Sequence, residues 1–253
     1  MRIDVNTSLG HWPFMRFDQT CGADLARHLA EESIDRALVW SIDSVLFPEP
    51  HLCNLDLAEE ISGHPSLIPL MTVDPSLSHW RNCLAHYRQM GPLNAVRIVP
   101  NYHRYPLDLP VVDELAETLI EQPNPVLVVQ LRVDDERGQY PLMMVPGVSV
   151  DDVVALAWRW PALPIVCLCP YRADALRLVR ETDNVYVDIS FVEFLDTLAH
   201  VTAEIPAGRL LFGSHTPFLY TRAAGMKLDC ATIDRESLDA IAGGTAAALF
   251  GLS

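Results

Sequence analysis

The constraint that does most to limit this chain is an alternation of short apolar runs with amphipathic stretches, repeated about eight times over 253 residues. Apolar runs occur at 2–6, 36–42, 66–72, 94–99, 125–131, 163–169, 184–190 and 209–214. They are rich in Val, Ile and Leu and too short for buried helices, so they read as strands. RALVWSI and PVLVVQL are apolar almost throughout, as expected of strands covered on both faces. Helical spacing fills the intervals at 24–32, 55–61, 79–89, 111–121, 151–160, 173–181 and 193–203. Leu25 and Leu29 lie one turn apart, and Trp80, Leu84 and Tyr87 share a face. A last helix spans 234–250, with Asp234 as its N-cap.

Strict alternation implies a parallel sheet with right-handed crossovers. Eight units in this length predict an α/β fold, a (β/α)8 TIM barrel forming a single domain over 1–253. A doubly wound sheet of fewer strands is the rival. Helix-to-strand connections are tight (63–65, 91–92, 122–124, 161–162, 206–208). Strand-to-helix connections are long (7–22, 43–50, 100–110, 132–150, 215–233). Long ordered loops carry function, and in such a barrel they gather on the C-terminal face.

Composition excludes several functions. With 18 basic and 33 acidic residues the net charge is −15, which argues against a nucleic-acid or anionic-membrane partner. No apolar run approaches a membrane span and no signal-peptide pattern opens the chain, so a cytoplasmic location is expected. The six cysteines form no zinc framework and read as buried, reduced thiols. Cys167 and Cys169, two apart in a strand, are expected on one face. There is no Gly-x-Gly-x-x-Gly, P-loop, Gly-x-Ser-x-Gly or His-Glu-x-x-His signature.

Polar residues at the strand ends remain. Strand one carries Asn6 and Ser8, followed by His11. VRIVPNYHRY carries Arg97, Asn101 and His103. VVQLRVDDER carries Gln130, Arg132, Asp134, Asp135 and Arg137. Strand seven carries Asp188 and Ser190, and LFGSHTPF carries His215. Inward-pointing side chains from different strands converge on one cup.

RIDVNTSLG, VRIVPNYHRY, LFGSHTPF and the closing GGTAAALFGL occur in order over nearly the whole chain. On these segments the chain resembles the amidohydrolase-related family of the metal-dependent amidohydrolase superfamily. The resemblance implies a catalytic divalent metal, usually zinc. His-x-His after strand one, histidines at strands five and six, and an aspartate after strand eight would hold it. This chain departs at each place: Asn6-Thr7-Ser8, Gln130, PIVCLCPY with only Cys169, and His215. Amide and hydroxyl groups are poor zinc ligands, so no metal cofactor is expected. Zinc or another divalent ion on His11, His103 and His215 is the alternative.

The leading expectation is an amidohydrolase-like enzyme that hydrolyses or decarboxylates a small carboxylate-bearing molecule, its metal centre eroded or replaced. His215 is the candidate base, oriented by Asp188 or Asp135, with Asn6 or Gln130 donating to an oxyanion. Ser8 and Ser214 are weaker candidates as nucleophiles. Ser8, His11, Arg97, Asn101, His103, Arg132 and Arg137 are candidate substrate-binding residues. The competing account of Arg132 and Arg137 is pairing with Asp134, Asp135 and Glu136. Two rival functions are a catalytically silent barrel binding an anionic metabolite or protein, and a zinc hydrolase with unorthodox ligands. Homo-oligomerisation is a further expectation.

Overall fold

In the computed structural model, residues 1–90 and 93–252 are described. The eight apolar runs form β1 (Ile3–Leu9), β2 (Arg36–Ser41), β3 (Leu67–Pro69), β4 (Ala95–Ile98), β5 (Val126–Gln130), β6 (Ile165–Leu168), β7 (Val185–Asp188) and β8 (Leu210–Leu211). The principal outer helices are α1 (Gly22–Glu31), α2 (Pro50–Ile61) and α3 (Trp80–Met90). A single turn, α4 (Pro100–His103), precedes α5 (Pro110–Ile120), α6 (Val150–Arg159) and α7 (Arg172–Glu181). The chain finishes with α8 (Thr197–Thr202), α9 (Thr221–Asp229), α10 (Arg235–Asp239) and α11 (Thr245–Phe250).

The strands pair in parallel as β1-β2-β3 and β4-β5-β6-β7-β8. Backbone contacts close the two sheets into one barrel. Arg97 N donates to Met71 O and Val73 N to Arg97 O, each at 2.8 Å, while Ser8 N donates to Thr216 O at 2.8 Å. Thr72 with Arg97 and Thr7 with Thr216 form the matching parallel bridges. The closed TIM barrel therefore replaces the open-sheet rival.

Alternation along each strand divides the core. Val126 and Val128 face inward with Val5, Leu38, Val166 and Leu211. Leu127 and Val129 face outward onto the stripes of α5 (Val112, Leu115, Leu119) and α6 (Val153, Leu156). Two strands depart from this period at the end that matters. In β1 the register shifts between Asp4 and Thr7, and Asp4 Oδ1 accepts from the Asn6 backbone N–H at 3.0 Å. After β6, Cys169 has φ 59°, which turns it into the interior while Cys167 packs outward. The two thiols therefore do not share a face.

Asp234 caps as expected, accepting from Ser237 N at 2.8 Å. The closing helix is broken, however, by a wide turn over Ala240–Gly244. There Gly243 passes so close to the barrel floor that a Cβ would lie 2.8 Å from Met1 O. Helix α9 falls inside the stretch read as loop 215–233. Its buried face, Thr221, Ala224, Gly225 and Leu228, is mostly small residues and gives little hydrophobic period. The 91–92 connection lies outside the described residues. Among those described, no helix is long and apolar enough to cross a membrane.

Candidate functional site

Each strand sends one side chain to the C-terminal end of the barrel: Asn6, Trp40, Thr72, Arg97, Gln130, Cys169, Asp188 and His215. All eight are fully buried. The Asn6 amide is pinned from two sides, accepting from Trp40 Nε1 at 3.1 Å and donating to Asp188 Oδ2 at 2.8 Å. Gln130 accepts from Arg97 Nε at 3.0 Å and donates to Arg132 O at 2.5 Å. Arg97 Nη1 donates to Thr72 Oγ1 at 2.9 Å, and its guanidinium stacks on Trp40, 3.7 Å from the ring centroid. Asp188 Oδ1 accepts from Cys169 N at 2.8 Å.

His215 turns into this layer through a left-handed backbone, φ 57°. Its Nε2 donates to Val133 O at 2.6 Å, leaving Nδ1 against the carbonyl oxygen of Asn6 at 3.3 Å. Burial, with Arg97 adding repulsion, lowers its pKa to about 4. At neutral pH it is an uncharged hydrogen-bond donor, and its accepting nitrogen is not open to a substrate. Val133 O holds the ring through Nε2; Asp135 instead holds Arg137 and accepts from Tyr171 Oη at 2.7 Å.

Two ionisable groups in the barrel lack full compensation. Arg97 Nη2 has no partner, and among the described residues no carboxylate pairs with this guanidinium. Burial lowers its pKa to about 9, which leaves it cationic at pH 7. The second group, Asp4, was missed in the sequence. Its Oδ1 accepts from Asn6 N and Ser214 N, each at 3.0 Å, while Oδ2 has no partner. Burial, reinforced by Asp188, raises its carboxyl to about 7. Burial also raises Asp188. An acid two residues before Asn6 on an inward strand was the available signal.

The other predicted residues scatter. Ser8 Oγ donates to Thr216 O at 3.2 Å within the barrel wall. His11 is 92% exposed and 4.0 Å from Asp43. Buried His103 bonds Ser44 O through Nε2 at 3.0 Å. Asn101 ties down the 131–149 loop through Leu131 O and Pro146 O. Arg132 is spent on Glu136 and Asp174, at 3.0 and 2.8 Å, and Arg137 on Asp135 at 2.6 Å. The three candidate zinc histidines do not form a site. Among the described residues no group of three or more His, Cys, Asp or Glu side chains is arranged to hold a metal.

The donor set itself fits a metal poorly. At the His-x-His, strand-five and strand-eight positions stand Asn6, Ser8, Gln130 and His215, each held by the internal bonds just described. Cys169 is buried and its thiol is pushed well above the usual range.

Aromatic rings roof the layer. Phe218 stacks on His215 with centroids 4.8 Å apart, Phe191 meets it edge-on at 5.5 Å, and Trp12 packs on Phe218 at 5.5 Å. In the sequence alone Trp40 and Phe218 are indistinguishable from core residues. Beyond Trp12 opens a cavity of about 490 Å³, walled in part by Phe14, Tyr102, Arg104, Asp134 and Tyr140.

No family model and no curated protein matches the sequence. Solved structures do match in fold. The 5-carboxyvanillate decarboxylase of Sphingomonas paucimobilis superposes with a TM-score of 0.77 at 14% identity, covering 100% of this chain and 99% of that one. A Staphylococcus aureus protein described as an amidohydrolase gives 0.75 at 14% identity, with 99% of each chain covered. The dihydroxybenzoic acid decarboxylase of Polaromonas sp. JS666, with bound manganese and 2-nitroresorcinol, gives 0.72 at 15%, covering 99% of this chain and 97% of that one. The shared fold is the TIM barrel.

Proposed function

We propose that this chain is a barrel enzyme that hydrolyses or decarboxylates a small carboxylate-bearing molecule, using side chains where the fold's relatives use a metal. One observation carries the reading: Arg97 is buried, cationic and without a counter-ion, and Nη2 has no partner. An unpaired buried charge costs several kcal/mol. An arriving carboxylate supplies both the missing charge and a planar acceptor for the guanidinium. Carboxylated aromatics are the substrates named for several decarboxylases of this fold. Asp188 is fully buried in the layer and burial shifts its carboxyl upward; we assign it the delivery of the proton that replaces CO2 on the substrate. Neutral His215 holds the roof through Phe218 rather than accepting a proton. Trp12 and Phe218 must swing aside for entry.

A second reading, a barrel that binds an anion without turnover, is favoured by the closed roof and the self-satisfied amides of Asn6 and Gln130. CO2 release and ester or lactone hydrolysis over a panel of aromatic and aliphatic acids separate the two. Turnover by wild type that disappears in Arg97→Met and Asp188→Asn supports the enzyme. Thermal stabilisation by an acid that is never turned over moves the protein to the binding class. Stoichiometric divalent metal surviving dialysis, with activity lost on its removal, contradicts the metal-free account.

A further inference from the structure

The apolar rim around the barrel mouth is a feature that the chemistry of the cup does not use. Phe14, Leu46, Tyr140, Leu142, Met143 and Met144 are 45% to 85% exposed. They come from three strand-to-helix loops, those after β1, β2 and β5. Phe14, Leu46, Tyr140 and Met143 line one cavity of about 490 Å³ outside Trp12, so the three loops gather around it. Together the six side chains offer roughly 600 Å² of surface, as much as the largest apolar patch on a typical monomer. A stable interface buries about 800 Å² on each partner, a little over half of it apolar. The rim is therefore large enough to hold a protein partner by itself.

Charge and relief indicate which partner it fits. The chain carries a net charge of −15, yet the cavity lining holds one cation, Arg104, and one acid, Asp134. A neutral face on an acidic chain lowers the repulsion that two copies otherwise feel. Among the described residues neither group has an opposite charge to pair with. They are the two halves of an ion pair that one copy does not form. A two-fold axis supplies it twice, because an isologous contact that sets residue i on j also sets j on i. The relief is self-complementary in the same way. Leu142, 85% exposed, stands beside the concavity that Tyr140 and Met143 line, so one copy presents both a projection and a recess.

We propose that this rim is a two-fold interface with a second copy of the chain, Leu142 of each copy seated in the other's cavity and Arg104 paired with the partner's Asp134. The interface stands on the rim and not on the reaction in the cup. In the dimer each copy walls the other's mouth, the space from which Trp12 and the roof behind it are reached.

The test is sedimentation velocity of the whole protein over a range of concentrations. Wild type forms a dimer whose fraction rises with concentration. Leu142→Asp weakens it about thirtyfold, the scale of one interface anchor. Leu142 is mostly exposed, so this variant folds as wild type does, which circular dichroism checks. Arg104→Asp and Asp134→Arg each weaken the dimer about tenfold by setting like charges face to face, and the two substitutions together restore it. Wild type that stays monomeric up to about 100 μM overturns the proposal. A dimer indifferent to Leu142→Asp uses another face and overturns it as well. Single charge variants that weaken the dimer without recovery in the double variant overturn the two-fold pairing, and the proposal with it. Monomeric wild type that floats with neutral phosphatidylcholine vesicles makes the rim a lipid contact, and overturns it too.

Discussion

His215 and Asp4 pull the stability of this fold in opposite directions as pH changes. The unfolded chain protonates His215 near 6.5, whereas the folded chain resists protonation down to about 4. Stability contributed there is lost as pH falls through that window. Asp4 behaves in the reverse sense: the folded chain keeps its proton up to about 7, the unfolded chain only to about 3.8. Its contribution is lost as pH rises between those values. Asp4→Asn keeps an acceptor for Asn6 N and Ser214 N and removes the ionisation. Its melting temperature is expected to exceed wild type by roughly 5 °C at pH 8, on the order of 2 kcal/mol. The gain shrinks toward zero at pH 4. A gain independent of pH would show that Asp4 ionisation is not its source. His215→Ala removes a ring packed on Phe218 and Phe191 and should cost about 3 kcal/mol by denaturant titration. A cost below about 1 kcal/mol would mean that the roof does not rest on this ring.

At the scale of elements, periodicity carried most of the information. The strands at 36–42 and 125–131 were legible because continuous apolar runs have few other uses in a chain of this length. The stripe of α5 was legible because Val112, Leu115 and Leu119 are large. Helix α9 was not, because Ala224 and Gly225 bury backbone and leave little pattern. The break after α10 was hidden for a different reason: it answers to Met1 and Ile3, which are distant in sequence. A Cβ on Gly243 would press on Met1 O at 2.8 Å. Gly243→Ala is therefore expected to cost about 2 kcal/mol, lowering the melting temperature by roughly 4–8 °C. An unchanged melting temperature would show that the closing turn can move away from the barrel floor.

For the whole molecule, the long strand-to-helix loops pointed to the C-terminal end of the barrel as the candidate site. Asn6, Arg97, Gln130, Asp188 and His215 meet there, although Asn6 arrives through a register shift in β1 and His215 through a left-handed backbone. The polar side chains then satisfy one another under a ring of aromatics, and no spacing rule encodes that closure. Arg132 and Arg137 illustrate the limit: both sit on the active face, but acids at short sequence or spatial range take them up. Arg97 differs only in lacking such an acid, which is visible once the chain is folded. The central claim is thus that a buried, unpaired Arg97 makes the barrel end a carboxylate receptor. Thermal melts of wild type and Arg97→Met across a series of carboxylates, at constant ionic strength with chloride as reference, test it most directly. At about 100 times Kd, the best acid should raise the wild-type melting temperature by roughly 5–10 °C and leave Arg97→Met unmoved. Equal shifts in both proteins, or none in wild type with any acid, would contradict it.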